Sequence, residues 1–400
     1  MKKLFYIFLT LFFILSNTAN VFAKDIVCHN PEEVNNNSGD LSLESKSAIL
    51  IEVGTGKVIY EKNPDEQLKP ASVTKVMTLL LIFEEIEKGN LSFDDVVTVT
   101  EHAASMGGSQ CFFETGEQQS VHDMIKCIEV ASGNDAAVAM AEHIAGTEAA
   151  FVEMMNRKAK ELGMENTNFE NACGLESSNH YTTSRDIAIM SRELLSKYPK
   201  IKEYSTIWMD SIIHKTKRGE SRFDLANTNK FLKGYTGATG LKTGYTSQAK
   251  YCMAASAERN GIEMIAVIMG ADTKEIRNSE AAKLLDYGFS KIKVYRDEEV
   301  LPKDFHVEVS DGTDDQIRAV PIKNHSIVMI NGNIDNVIKN ILPYEKLKAP
   351  IYENDIIGVI QYTQDGALLD EIYIYASHDV PRLSFSYSLR KISKNIFLIK

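Results

Sequence analysis

Pro70-Ala71-Ser72-Val73-Thr74-Lys75, followed by the apolar run Val76-Met77-Thr78-Leu79-Leu80-Leu81-Ile82-Phe83, is the stretch on which the reading turns. A helix is expected to begin at Ser72 and to run to about Lys88, where Gly89-Asn90 ends it. Ser72 and Lys75 are then one turn apart and share a face. A serine hydroxyl is a poor nucleophile until a base takes its proton, and a lysine with a lowered pKa can be that base. The spacing alone decides nothing, because Ser-x-x-Lys recurs at Ser247–Lys250, Ser290–Lys293 and Ser388–Lys391.

Working outward, the residues before this helix read as a hairpin: Ser47–Val53 and Lys57–Tyr60 are β-rich and joined by Gly54-Thr55-Gly56. After it comes a helical region. Met124, Ile125, Ile128 and Ala131 recur at helical spacing, Ser132-Gly133-Asn134-Asp135 interrupts, and Ala136–Ile144 resumes. Glu148–Leu162 is a further helix, and Thr183-Ser184-Arg185-Asp186 caps one over Ile187–Leu195. From Gly234 turns and strands return. Tyr251–Ala257 and Ile262–Met269 flank Arg259-Asn260-Gly261, a hairpin signal, and Glu275–Tyr287 closes the region as a helix. Strands at both ends with helices between them make an α+β domain with an antiparallel sheet, assigned to residues 43–294.

Beyond Val294 short strands and turns make a small β domain, residues 295–383, with strands expected at Val307–Val309, Arg318–Pro321, Ile327–Ile330, Ile356–Tyr362 and Leu369–Tyr375. Residues 384–400 form a basic amphipathic tail. Phe385, Leu389, Ile392, Ile396 and Ile399 recur every three or four residues among Arg390, Lys391, Lys394 and Lys400, a pattern suited to lying on a membrane surface. At the other end, Lys2-Lys3, the apolar Leu4–Leu15 and a small residue at Ala23 read as a secretory signal, residues 1–23, followed by a polar lead-in over 24–42. The expected location is therefore outside the cytoplasm, at the outer face of the cytoplasmic membrane.

The 400 residues carry a net charge of −11, which excludes the basic field that nucleic acid requires. The five cysteines (28, 111, 127, 173 and 252) are scattered and odd in number, so buried thiols are expected rather than a disulfide framework. Nine histidines occur singly with no ligand spacing, so neither a metal nor a cofactor is expected.

Three segments carry chemistry in order: Ser72–Lys75, Ser132-Gly133-Asn134 and Lys242-Thr243-Gly244. Ser-x-Asn also occurs at Ser177 and Ser393, but there without the other two motifs around it in this order. Ser-x-x-Lys, Ser-Asp-Asn and Lys-Thr-Gly are the set described for β-lactamases and penicillin-binding proteins, and here Gly133 stands where that Asp would. With Lys69-Pro70-Ala71 before Ser72, Ala131-Ser132-Gly133-Asn134-Asp135-Ala136-Ala137, Leu162-Gly163-Met164 and Gly240-Leu241-Lys242-Thr243-Gly244-Tyr245-Thr246, the chain most resembles the low-molecular-mass penicillin-binding proteins that act as D-alanyl-D-alanine carboxypeptidases. The likeness covers roughly residues 43–290, and the β domain with its tail matches the same layout.

That resemblance implies a β-lactamase/transpeptidase-like domain acting on peptidoglycan stem peptides and acylated by β-lactams. It implies Ser72 as nucleophile, Lys75 as base and Ser132 as proton carrier to the leaving amine. Asn134 would hold the substrate amide, Lys242 and Thr243 the terminal carboxylate, and Arg277 would support that anionic end. The backbone N–H groups of Ser72 and Tyr245 would form the oxyanion hole, and Gly244 would let substrate lie against the strand edge. Two positions depart from many relatives: Thr239 stands where Asp precedes Gly240, and Tyr245 where some carry His. Two rival readings are a β-lactamase, for which Glu176 is the one loop acid available to activate water, and a non-catalytic cell-wall binding or regulatory protein on the same fold.

Overall fold

The computed structural model describes residues 41–216, 218–330 and 332–387. The expected signal (1–23), most of the lead-in (24–42), Cys28 and the tail beyond Tyr387 lie outside the described residues.

The strands of the first domain are β1 (Ser47–Glu52), β2 (Val58–Lys62), β3 (Val96–Thr98), β4 (Gln118–Ser120), β5 (Met209–Thr216), β6 (Gly219–Ala226), β7 (Ala238–Thr246), β8 (Lys250–Arg259) and β9 (Ile262–Ala271). Five of them form one antiparallel sheet in the order β2-β1-β9-β8-β7. The first and last parts of the domain thus interleave: β1 pairs with β9, Ser47 opposite Met269 and Glu52 opposite Met264. Asn260 and Gly261 both have positive φ, 52° and 72°, as the tight β8–β9 turn requires, which is why that hairpin was readable. β7 is an edge strand of this sheet, and it carries Lys242-Thr243-Gly244.

The helix Lys75–Glu87 is buried from Lys75 to Phe83 and runs through the core, its apolar run packed against Met124, Ile128, Ala137 and Met140. Around it lie the helices Val121–Glu129, Asn134–Ala145, Glu148–Glu161 and Ser184–Lys197, the last capped by the Thr183 hydroxyl as expected. The helix does not begin as expected. Ser72 sits in a 3₁₀ turn, Ala71–Thr74, and the α-helix starts only at Lys75. In 3₁₀ geometry residues i and i+3 eclipse, so the tighter turn stacks Ser72 over Lys75 more directly than an α-turn would.

The last helix of the domain, Lys274–Lys291, packs on β9 and β8. The β-rich second domain follows. Its strands are β10 (Ile292–Asp297), β11 (His306–Ser310), β12 (Gln316–Arg318), β13 (His325–Ile330), β14 (Ile338–Pro343), β15 (Leu347–Lys348), β16 (Ile356–Gln364) and β17 (Ala367–Tyr375). β10 pairs with β13, β12-β11-β15 form a second sheet and β14-β16-β17 a third. They close over a separate core of Val300, Leu301, Ile317, Ile357, Ile360, Tyr362 and Ile374.

Candidate active site

Everything that bears on the site meets at Lys75. Its side chain is wholly buried (0% exposed). Its Nζ donates to Ser72 Oγ at 3.0 Å, to Asn134 Oδ1 at 2.6 Å and to the Cys173 carbonyl at 2.8 Å. Three donors meet three acceptors. Loss of one proton leaves two donors and a lone pair, and with the pair turned towards Ser72 the other two bonds are retained. Burial brings the Lys75 pKa down from 10.5 to about 7; the Cys173 thiol opposes this, the Lys242 ammonium adds to it, and Asp135 and Cys111 oppose it more weakly. Such a lysine can accept the proton of Ser72 near neutral pH. Of the other Ser-x-x-Lys pairs with described residues, Ser247 bonds Glu176 and Ser290 bonds the Tyr287 carbonyl.

The turn that carries Ser72 is pressed between two glycines. A Cβ on Gly174, which has φ +87°, would stand 1.9 Å from the Ala71 carbonyl oxygen. A Cβ on Gly244 would stand 2.8 Å from the Pro70 oxygen and 3.0 Å from Ser72 N. The missing side chain at Gly244 therefore serves the approach of β7 to the Ser72 turn. This approach sets the backbone of Gly244 beside the Ser72 N–H.

The loop after the helix Glu148–Glu161 is tied to the same turn. Thr78 Oγ1 donates to the Ala172 carbonyl at 2.6 Å, and Lys69 Nζ to the Ser177 and Ser178 carbonyls at 2.6 and 2.8 Å. His180 Nδ1 accepts from Glu170 N at 3.1 Å, which leaves Nε2–H to donate to Thr74 Oγ1 at 2.8 Å. Burial, helped by Lys69, lowers the His180 pKa to about 4, so this imidazole is a neutral tie. Glu176 is spent on the β7–β8 turn: its Oε1 accepts from Gln248 N at 3.0 Å and Ser247 Oγ at 3.4 Å. It does not line the cleft that holds Ser72.

Ser132 lies at φ 62° in the break before Asn134. The break is sewn to the segment 107–113: Asp135 accepts from Cys111 N at 2.9 Å, Asn134 N donates to the Ser109 carbonyl at 2.7 Å, and Asn134 Nδ2 to the Gly107 carbonyl at 2.7 Å. The Asn134 side-chain oxygen holds Lys75 and one of its N–H groups holds Gly107, which leaves the second N–H for another partner.

Ser72, Ser132, Thr243, Gly244, Tyr245 and Arg277 line one cleft of about 320 Å³. Lys242 stands behind it, 1% exposed, with no hydrogen-bond partner for Nζ among the described residues. Burial and the Arg277 cation lower its pKa to about 8 against the pull of Glu129. Arg277 is mostly buried, forks onto Asn278 Oδ1 at 3.0 and 3.1 Å and lies 5.9 Å from the Tyr251 ring centre. Burial pushes its pKa down as well. Tyr245 is 56% exposed and packs on Tyr251 with ring centres 4.4 Å apart, so its side chain forms the rim. Thr239, the departure at that position, bonds Ser256 and Glu263 and lines no part of the cleft. Glu129 was missed by motif reading. The available signal was a lone carboxylate one turn beyond Ile125 on the apolar face of its helix.

A larger groove, about 1020 Å³, lies in the second domain and is lined by residues of β11, β12 and β15. Its one serine, Ser310, donates to the Leu347 carbonyl at 2.9 Å. Among the described residues no group of His, Cys, Asp and Glu could hold a metal, and Cys111, Cys127, Cys173 and Cys252 are buried free thiols.

Residues 33–273 match the family model described as D-alanyl-D-alanine carboxypeptidase, and residues 289–382 the model of the penicillin-binding protein 5 C-terminal domain. The chain is 42% identical to the D-alanyl-D-alanine carboxypeptidase DacF of Bacillus subtilis over 88% of this chain and 90% of that protein. It is 31% identical to DacC of Escherichia coli over 82% of each. Penicillin-binding protein 5 of Haemophilus influenzae superposes with a TM-score of 0.73 at 29% identity, covering 85% of this chain and 98% of the other. Penicillin-binding protein D2 of Listeria monocytogenes, solved in an ampicillin-bound form, gives 0.53 at 31% identity, covering 62% and 99%. With a lysine-bonded serine in one cleft with Ser132 and Thr243 and matches over both domains, the chain belongs to the D-alanyl-D-alanine carboxypeptidase family, as a serine-type member of penicillin-binding protein 5 architecture.

Proposed function

We propose that this carboxypeptidase works through a Ser72 acyl-enzyme on peptidoglycan stem peptides. The stem lies along the free edge of β7, its terminal carboxylate against Lys242, Thr243 and Arg277. Neutral Lys75 takes the Ser72 proton as Oγ bonds to the penultimate D-alanine carbonyl carbon. The backbone N–H groups of Ser72 and Tyr245 receive the oxyanion. Collapse breaks the C–N bond, the proton passes by way of Ser132 to the departing D-alanine nitrogen, and water then frees the shortened peptide. A β-lactam enters by the same first step.

The observation that carries this reading is the bond from the buried Lys75 to Ser72, with Lys242 behind the same cleft. Its test has two arms. Protein lacking residues 1–23 should be labelled stoichiometrically by a fluorescent penicillin and Ser72→Ala should not; labelling of that variant would refute the nucleophile. Mass spectrometry should find a pentapeptide shortened by one D-alanine, and an intact pentapeptide would favour the β-lactamase or non-catalytic reading.

The division into a D,D-peptidase domain (43–294), a small β domain (295–383) and a tail (384–400) belongs to the same proposal. So does export by the signal at 1–23, past the lead-in 24–42, with attachment to the outer face of the cytoplasmic membrane by the tail. The apolar stripe at Phe385, Leu389, Ile392, Ile396 and Ile399, with basic residues between, supports the attachment.

A further inference from the structure

Behind the cleft, three buried polar atoms from three segments lack a hydrogen-bond partner among the described residues: Glu129 Oε1, Asn229 Nδ2 and Lys242 Nζ. Glu129 ends the helix Val121–Glu129 and is 2% exposed. The segments are joined directly. Thr228 N donates to the Val130 carbonyl at 3.0 Å, and the Thr228 and Thr243 hydroxyls are 3.4 Å apart. These bonds hold the end of the Glu129 helix against the part of β7 that carries Lys242.

The charges around Lys242 are lopsided. Arg277 is a cation that repels it, and Glu129 is the one carboxylate that acts on it. Glu129 in turn answers to Lys242 alone; Lys126, one turn earlier, is spent on Asp123 at 2.7 Å and Asp210 at 3.3 Å. A buried ammonium with only cations for neighbours sheds its proton, and a neutral lysine cannot hold a carboxylate by charge.

We propose that Glu129 is a positioning residue of this enzyme, the internal counter-charge that keeps Lys242 protonated for the substrate's terminal carboxylate. This rests on the reading of Lys242 as carboxylate binder. The pKa directions are consistent with it: burial raises Glu129 to about 7 while Lys242 pulls it back, and Glu129 raises Lys242. Substrate does not have to displace Glu129, because it meets Lys242 from the cleft side, where Thr243 and Arg277 add their own donors.

The test compares two acyl donors, a peptide ending in D-Ala-D-Ala and the same peptide with its terminal carboxylate converted to a carboxamide. Both are assayed from pH 6 to 9.5 with active sites titrated by labelled penicillin. In Glu129→Gln the falling limb of kcat/KM for the carboxylate peptide should move down by at least about one pH unit, a loss of about tenfold above the limb. The carboxamide should be unaffected, and Glu129→Asp, which keeps the charge, should leave the limb in place. An unmoved limb in a wild type that prefers the carboxylate would overturn the role of Glu129 alone. Equal loss on both peptides at every pH would mark Glu129 as structural and overturn it too. A wild type indifferent to the carboxylate would instead overturn the Lys242 reading on which the proposal stands.

Discussion

If Lys75 is the general base, the acylation rate must follow the fraction of Lys75 that is neutral. Burial brings its pKa from 10.5 to about 7, a differential cost to the charged form of about 5 kcal/mol. At pH 7 about half of the enzyme then holds a neutral Lys75, against about 0.03% for an unperturbed lysine, so burial raises the competent fraction by about a thousandfold. Below pH 7 the rate should fall about tenfold per pH unit. The assay is the second-order acylation rate with a fluorescent penicillin between pH 5 and 7.5, read by stopped flow. Lys242→Met removes a cation that pushes the Lys75 pKa down, so it should carry the rising limb to higher pH and slow acylation at pH 6 beyond what weaker binding explains. A flat profile between pH 5 and 7 would refute Lys75 as the titrating base. A limb that moves to lower pH in Lys242→Met would refute the electrostatic coupling.

Other changes have equally definite outcomes. Asn134→Asp places an anion where Oδ1 now stands 2.6 Å from Lys75 Nζ; it should raise the Lys75 pKa by about 1–3 units and move the rising limb with it, whereas a pure substrate-amide role would change KM and leave the limb alone. Gly174→Ala drives a Cβ to 1.9 Å from the Ala71 oxygen at φ +87°, and should cost more than about 3 kcal/mol in chemical denaturation and slow penicillin acylation. Gly146→Ala, with φ +80° and open space around it, is the control and should cost about 1 kcal/mol. Removing residues 384–400 should release the protein from anionic liposomes in a sedimentation assay while leaving acylation intact; unchanged sedimentation would refute the tail as anchor.

What was legible in the sequence was local. The hairpin at Asn260-Gly261, the cap at Thr183 and the helix from Lys75 each rest on residues a few positions apart, and each is found within a few residues of its expected place. The order of the three motifs carried the family. The β5–β6 hairpin was not legible. Glu220, Ser221, Arg222 and Asp224 expose β6 on both faces, and little but Ile212 and Leu225 reaches the core from this pair, so neither a period of two nor an apolar run marks it. In the second domain β14 and β15 were missed for a related reason, being largely exposed or only two residues long.

Within the site, motif reading identified which residues gather but not what each is bonded to. Asn134 lies fifty-nine positions from Lys75, and the bond between them exists only because the break at Ser132 is sewn to segment 107–113. The same holds for electrostatics. A second cation near Lys75 was foreseeable as a reason for its low pKa, yet burial is the larger cause and Lys242 a smaller one. Burying Lys75, Lys242 and Arg277 around one cleft lowers all three pKa values, which suits a base but works against a carboxylate clamp. One fold must therefore let Lys75 lose its proton and keep Lys242 from losing its own. A carboxylate that acts on Lys242 and not on Lys75 separates the two requirements, and Glu129 is such a carboxylate.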